Sequence, residues 1–201
     1  MRLAVLASGR GSNLQAILDA IAAGTLDAEI VGVFSDKPSA QALRRVPEPL
    51  RWSRNAKDYP NRAAFDAELA TAVAATRPDW VVCAGYMRIL GDAFVQQFRG
   101  HLLNIHPSLL PRHRGLHTHA GALAAGDGEH GASVHFVVPE LDAGAVIAQA
   151  ALPVLATDTP ESLAARVLRL EHPLLVAVLQ MAAAGRITEQ AAQATLDGQP
   201  L

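Results

Sequence analysis

A single cysteine, Cys83, occurs in the 201 residues of the chain. No internal disulfide can form, which suits a reducing cytoplasm and leaves stability to the core. Cys83 stands among Val81, Val82 and Ala84 and reads as an inert core thiol. Net charge is also slight, at -2, so no global basic field recruits nucleic acid. Arg44, Arg45, Arg51 and Arg54 form a loose basic patch that reads as solvated surface. Membrane-length apolar runs are missing too: the stretch from Leu174 to Gly185 is too short for a bilayer and contains Gln180. Met1 to Ala7 is apolar, but glycines and polar residues interrupt it at once, so it reads as a buried first strand and not as a signal peptide. Repeats and low-complexity linkers are absent. With 50% hydrophobic and 18% charged residues, the expectation is one cytoplasmic globular domain over residues 1–201.

What is present has a clear order. Arg2 to Ala7 runs into Ser8-Gly-Arg-Gly-Ser12, after which Leu14, Ile17, Leu18 and Ile21 repeat at helical spacing up to Gly24. Ile30 to Phe34 is a second strand candidate. Strand, glycine loop, helix, strand opens a parallel sheet with right-handed crossovers. Further along, the pattern predicts a short helix near Ala40 to Arg45, a short strand near Leu50, and a helix through Phe65, Leu69 and Val73. Trp80 to Ala84 and Leu102 to Ile105 read as strands, with a helix from Ile89 to Phe98 between them. A small helix over Ala120 to Ala125, strands at Ser133 to Val138 and Val146 to Val154, and a long helix from Pro160, kinked near Pro173, complete the chain. The fold class expected is α/β: three layers, a mostly parallel twisted sheet with helices on both faces, and a Rossmann-like N-terminal half.

Three groups of residues suggest chemistry. Asn104-Ile-His-Pro-Ser-Leu-Leu-Pro111 ends a strand, and residues two apart on a strand share a face, so Asn104 and His106 project side by side. Pro107 biases His106 towards extended geometry. An amide stabilises a developing oxyanion without titrating, and an imidazole moves protons near pH 7. Asp142, in the turn from Pro139 to Gly144, supplies a carboxylate to orient or charge-stabilise the ring. No serine or cysteine nucleophile is needed, which suits attack by a substrate amine on an acyl group. The alternative is that Asn104 and His106 hold a loop and Asp142 caps a turn.

Gly9-Arg-Gly-Ser-Asn13 lacks the lysine of a Walker A loop and the third glycine of a dinucleotide fingerprint. It suits one phosphate monoester at a helix N-terminus; a tight turn with Ser12 as N-cap explains the residues equally well. His117 and His119 invite a metal reading, but two histidines without an acid or cysteine at a ligand spacing are a weak set, and no metal is expected. His101, His113 and His130 read as surface residues, whereas His135 sits in a strand facing core or site. Arg88 either holds an anion or is an exposed helix arginine.

Together these motifs resemble the phosphoribosylglycinamide formyltransferases of purine synthesis. The resemblance rests on Ser8-Gly-Arg-Gly-Ser-Asn-Leu-Gln15, Val33-Phe-Ser35, Gly85-Tyr-Met-Arg-Ile-Leu90, Leu103 to Pro111, Gly115-Leu-His-Thr-His119, Ser133-Val-His-Phe136 and Leu141-Asp142. It is loose over Lys37 to about Pro60 and after Ile187. It implies the formyltransferase fold, with residues 1–100 binding nucleotide phosphate and 101–201 carrying catalysis and folate. It implies formyl transfer from 10-formyltetrahydrofolate, as co-substrate, to glycinamide ribonucleotide, in a monomer or weak homodimer without metal, nucleic acid or membrane. By resemblance Asn104, His106 and Asp142 are catalytic, while Gly11, Ser12, Asn13 and Glu171 hold phosphate and ribose. Arg88, Ile89, Leu90, Val95, Val138 and Leu141 line a folate pocket that binds the pterin largely through backbone groups, and His117, His119 and His135 support the site. Two departures stand out: Ala143 and Ala145 replace the family's usual Gly and Pro after the acid, and Arg10 replaces a smaller residue in the phosphate loop. The competing readings are hydrolysis of the same cofactor and a non-catalytic nucleotide-binding module. Hydrolases of this kind usually carry an extra N-terminal domain, and this chain is expected to start at its first strand.

Overall fold

The computed structural model describes residues 1–201. A seven-stranded sheet runs in the order β3-β2-β1-β4-β5-β6-β7. Its strands are β1 (Arg2–Leu6), β2 (Glu29–Ser35), β3 (Arg51–Ser53), β4 (Trp80–Cys83), β5 (Leu102–His106), β6 (Glu129–Phe136) and β7 (Val146–Pro153). From β3 to β5 neighbouring strands are parallel, and β6 and β7 join antiparallel, so the sheet is mostly parallel as expected.

Alternation along β1 explains the layers. Leu3, Val5 and Ala7 face one core while Ala4 and Leu6 face the other, and all are fully buried. The first core is closed by α1 (Ser12–Ala22) and α5 (Pro160–Ala183) through Leu14, Ile17, Leu163, Val167 and Leu175. The second is closed by α2 (Arg62–Ala75) and α3 (Asp92–Gln97) through Phe65, Leu69, Val73 and Phe94. A strand buried on both faces needs apolar residues at every position, which is why β1 and β4 read as unbroken apolar runs. Cys83 belongs to the second core, and burial pushes its thiol pKa up to about 12. No helix is long and apolar enough to cross a membrane.

Several expectations shift. The helix expected from Ile89 begins only at Asp92, because the Gly91 N–H is taken by Asp66 Oδ2 at 2.8 Å and Gly91 is extended (φ -74, ψ 157). Residues 41–45 form a tight 3₁₀ turn, and the strand expected near Leu50 lies at Arg51–Ser53. α4 spans Thr118–Ala125 and ends at a left-handed Gly126 as expected. α5 runs through the exposed Pro173 without a break in its helical span. A small antiparallel sheet of β8 (Ile187–Gln190), β9 (Gln193–Leu196) and β10 (Gln199–Pro200) follows it; no strand was expected there. His101 is exposed as expected. His130 is not: only 1% of it is exposed, and burial pushes its pKa down to about 4. His113 is likewise drawn inward, against Asp127.

Candidate active site

The left-handed backbone of Gly11 (φ 72, ψ 36) starts α1, and Ser12 takes the first helical position. Gly11, not Ser12, is therefore the N-cap residue. A side chain at Gly11 would meet the Cβ of Ala42 at 2.7 Å, so only glycine fits this approach. The first helical bond reaches back from Gln15 N–H to Gly11 O (2.9 Å). It leaves the N–H groups before Gln15 without helical partners, at the positive end of the helix dipole. Asn13 is buried, and its Nδ2 donates to Glu171 Oε2 at 2.8 Å, joining α1 to the middle of α5. Asn13 Oδ1 has no partner. Burial raises the Glu171 carboxyl pKa, opposed by the Asn13 hydrogen bond and by the nearby His172 and His106. Gly11, Ser12 and Asn13 thus stand together at the start of α1, with Glu171 hydrogen-bonded to Asn13.

At the end of β5, Asn104 and His106 share a face, and the antiparallel register sets His135 of β6 directly beside Asn104. The His135 Nδ1 donates to Phe136 O at 2.7 Å, so Nε2 is the bare nitrogen and accepts from Asn104 Nδ2 at 3.1 Å. Burial lowers the His135 pKa and keeps this ring neutral. His106, 5% exposed, donates from Nε2 to the His113 carbonyl at 2.9 Å, which leaves Nδ1 as its free nitrogen. Nδ1 faces Asp142 Oδ2 at 3.5 Å. The same oxygen accepts the Gly115 N–H at 2.8 Å, while Oδ1 lies 3.5 Å from Asn104 Nδ2 and 3.7 Å from His135 Nε2. Asp142 is left-handed (φ 48), a conformation aspartate tolerates better than most residues. The 3.5 Å separations are too long for firm hydrogen bonds. The Gly115 N–H therefore anchors Asp142, while the Asn104 Nδ2–H and the His106 Nδ1 face it without being fully engaged.

The Ala143 and Ala145 departures leave this turn intact. Ala145 O accepts the Phe136 N–H at 3.0 Å, and Ala143 N–H reaches Glu140 O at 3.3 Å. Gly144 between them is obligatory, since a Cβ there would lie 1.8 Å from Phe136 O.

The folate candidates fall on two loops. Arg88, Ile89 and Leu90 follow β4, and Val138 and Leu141 follow β6. Ile89 and Leu141 are large exposed apolar side chains, as are Met87 and Leu116. Leu90 and Val95, by contrast, bury their side chains in the second core. The Arg88 guanidinium lies 5.0 Å from the centre of the Phe65 ring, so it is a partly buried loop arginine and not a helix-surface one.

Of the supporting histidines, His135 joins the trio directly. His119 pairs with buried His130 (Nδ1 to Nε2, 3.1 Å), and burial lowers its pKa. His117 lies exposed at the left-handed turn that starts α4. Sequence reasoning missed the His113 carbonyl, the Gly115 N–H, and the Ser133–Gln149 pair. Ser133 Oγ donates to Ser108 O (2.6 Å) and accepts from Leu110 N and Gln149 Nε2, so it pins the segment that follows His106. Ser133 pairs with His106 in the β-ladder, a register that the local sequence does not carry. A polar hollow of about 310 Å³ is lined by Arg112, His113, Asp127 and His130, and the His113 carbonyl links it to His106. The His113 hydrogen bond and the Arg112 guanidinium hold the Asp127 carboxyl below its usual pKa.

An amide, an imidazole and a carboxylate that meet at the C-terminal end of β5 can support acyl transfer without a protein nucleophile. The chain belongs to the formyl transferase family, whose model matches residues 1–179. Its relatives are more particular. The chain is 47% identical over 203 residues to the phosphoribosylglycinamide formyltransferase of Escherichia coli (strain K12), covering 100% of this chain and 96% of that protein. It is 42% identical over 189 residues to the human trifunctional purine biosynthetic protein adenosine-3, covering 92% of this chain but only 19% of that longer protein. Among solved structures, the phosphoribosylglycinamide formyltransferase of Coxiella burnetii superposes with a TM-score of 0.93 at 45% identity, over 100% of this chain and 95% of that one.

Proposed function

We infer that this chain transfers the formyl group of 10-formyltetrahydrofolate to the amine of glycinamide ribonucleotide, giving the N-formyl product and tetrahydrofolate in purine synthesis. The observation that carries the reading is the convergence of Asn104, His106 and His135 on the Asp142 carboxylate. In the proposed reaction the substrate amine attacks the formyl carbon, forming a C–N bond and a tetrahedral oxyanion. Asn104 Nδ2–H and protonated His106 Nδ1–H stabilise that oxyanion. The bond to N10 then breaks, and the proton lost by the amine reaches N10 by way of Asp142 and a bridging water. Locking the His106 Nε2 proton on the His113 carbonyl keeps Nδ1 as the face that works.

Gly11, Ser12, Asn13 and Glu171 are assigned to phosphate and ribose, with residues 1–100 supplying most of that site. The loops carrying Arg88, Ile89, Leu90, Val138 and Leu141 are assigned to folate, with the Val95 backbone beside them. The exposed apolar side chains Met87, Ile89, Leu116 and Leu141 suit a flat aromatic ligand. Most of the acceleration then comes from holding two substrates together and from preorganised donors. We place the reaction in the cytoplasm.

The assay mixes the protein with a 10-formyl dideazafolate analogue, with and without glycinamide ribonucleotide, and follows folate absorbance. Deformylated folate appearing only with the ribonucleotide is the expected result. Release without it identifies a hydrolase, and no release in either case returns the chain to a binding module.

A further inference from the structure

The sheet reverses its winding at β1, which lies between β2 and β4. Ligands of open α/β sheets bind in the crevice above such a switch point. Ser8 sits there, two residues beyond the end of β1. Its N–H donates to Gly85 O at 3.0 Å, beyond β4. Its hydroxyl donates to Asp36 Oδ1 at 2.5 Å, beyond β2, and accepts the Met87 N–H at 2.8 Å. Ser8 and Asp36 are each only 5% exposed. One buried oxygen therefore ties together the loops that leave three adjacent strands. The residues that follow Ser8 are the glycine loop from Gly9 to Asn13, and those that follow Met87 are Arg88 to Leu90.

The strands do not depend on this oxygen. Ala7 N–H to Phe34 O (3.0 Å) and Ala84 N–H to Leu6 O (2.9 Å) hold β1 to its neighbours through the backbone alone. Removing the hydroxyl strands the buried Asp36 carboxylate and the Met87 N–H, and an orphaned polar group recovers a partner by moving. The loops, not the sheet, are what can move.

We propose that Ser8 is a positioning residue that couples the phosphate loop to the folate loop, so that losing its hydroxyl weakens both substrates together. The inference rests on the loop assignments in the proposed function. It is tested by steady-state kinetics of Ser8→Ala, with Ser12→Ala as the one-site reference and thermal melting alongside. Ser8→Ala is expected to raise the KM of glycinamide ribonucleotide and of the formyl-folate by about 3-fold to 10-fold each, the scale of one lost hydrogen bond, with a smaller change in kcat. Ser12→Ala raises the first KM only, and Asp36→Asn, which keeps an acceptor for Ser8, leaves both near wild type. If Ser8→Ala does not fold, Ser8→Cys, which keeps a poorer hydrogen-bonding group in place, shows the same paired rise. Wild-type transfer combined with a Ser8 variant that moves one KM alone, or that melts earlier with both KM values unchanged, overturns the coupling and leaves the reaction standing. A wild-type protein that binds neither compound in a calorimetric titration overturns the loop assignments and the coupling with them.

Discussion

His106 has Nε2 committed to a backbone carbonyl while Nδ1 only faces Asp142, and this division of labour makes the two residues separable by mutation. His106→Ala removes the ring that faces the carboxylate, and Asp142→Asn removes the charge but keeps the shape. Each is expected to cut kcat by on the order of 10²-fold or more, measured in the absorbance assay; near-normal turnover in both removes them from the chemistry. Gly144 carries a different burden. A Cβ at 1.8 Å from Phe136 O cannot be accommodated without moving the turn that presents Asp142. Gly144→Ala is therefore expected to lower kcat as severely as Asp142→Asn does and to lower the melting temperature as well, which Asp142→Asn should not. Asn104 and His106 were legible as neighbours from their spacing on a strand. That the acid meeting them would be Asp142 was legible only through family resemblance, because the two segments are 36 positions apart between His106 and Asp142.

The elements differ in how openly their residues declare them. α5 begins with Thr159 as N-cap in a reciprocal capping box: Ser162 N–H donates to Thr159 Oγ1 (3.2 Å) and Thr159 N–H to Ser162 Oγ (2.9 Å). Because α5 closes the first core and carries Glu171 to Asn13, its start matters for the site as well as for stability. Thr159→Ala is expected to cost about 1 kcal/mol, read from a urea midpoint shift with unchanged slope, while kcat stays near wild type because Glu171 lies three turns further on. The loop from Tyr86 to Gly91 was not legible. Ile89, Leu90, Phe94 and Val95 have helical spacing, yet Asp66 of α2 claims the Gly91 N–H and delays the helix to Asp92. A hydrogen bond from a residue 25 positions away leaves no trace in local periodicity.

For the molecule as a whole, burial of titratable groups sets the pH response. His130 is buried with its pKa pushed down to about 4, against about 6.5 when unfolded. Between those values the unfolded chain binds a proton that the folded one refuses, so stability is full above pH 6.5 and falls as pH drops towards 4, where the loss levels off. The loss from this one ring is on the order of 3 kcal/mol. His130→Gln, which keeps hydrogen-bonding capacity without a titrating nitrogen, is expected to flatten the pH dependence of unfolding free energy over that window; an unchanged slope assigns the acid sensitivity to other groups. By itself, the sequence determined the order of strands and helices as far as α5, the two-sided burial of β1 and β4, and the shared face of Asn104 and His106, because each follows from spacing along a few residues. Tertiary structure alone decided that His130 is inside, that Asp66 ends a loop, that His113 lends its carbonyl to His106, and that Ser8 joins three strands. These are contacts between distant segments, fixed by how the sheet winds and which backbone groups it leaves unpaired, and no local pattern of residues encodes them.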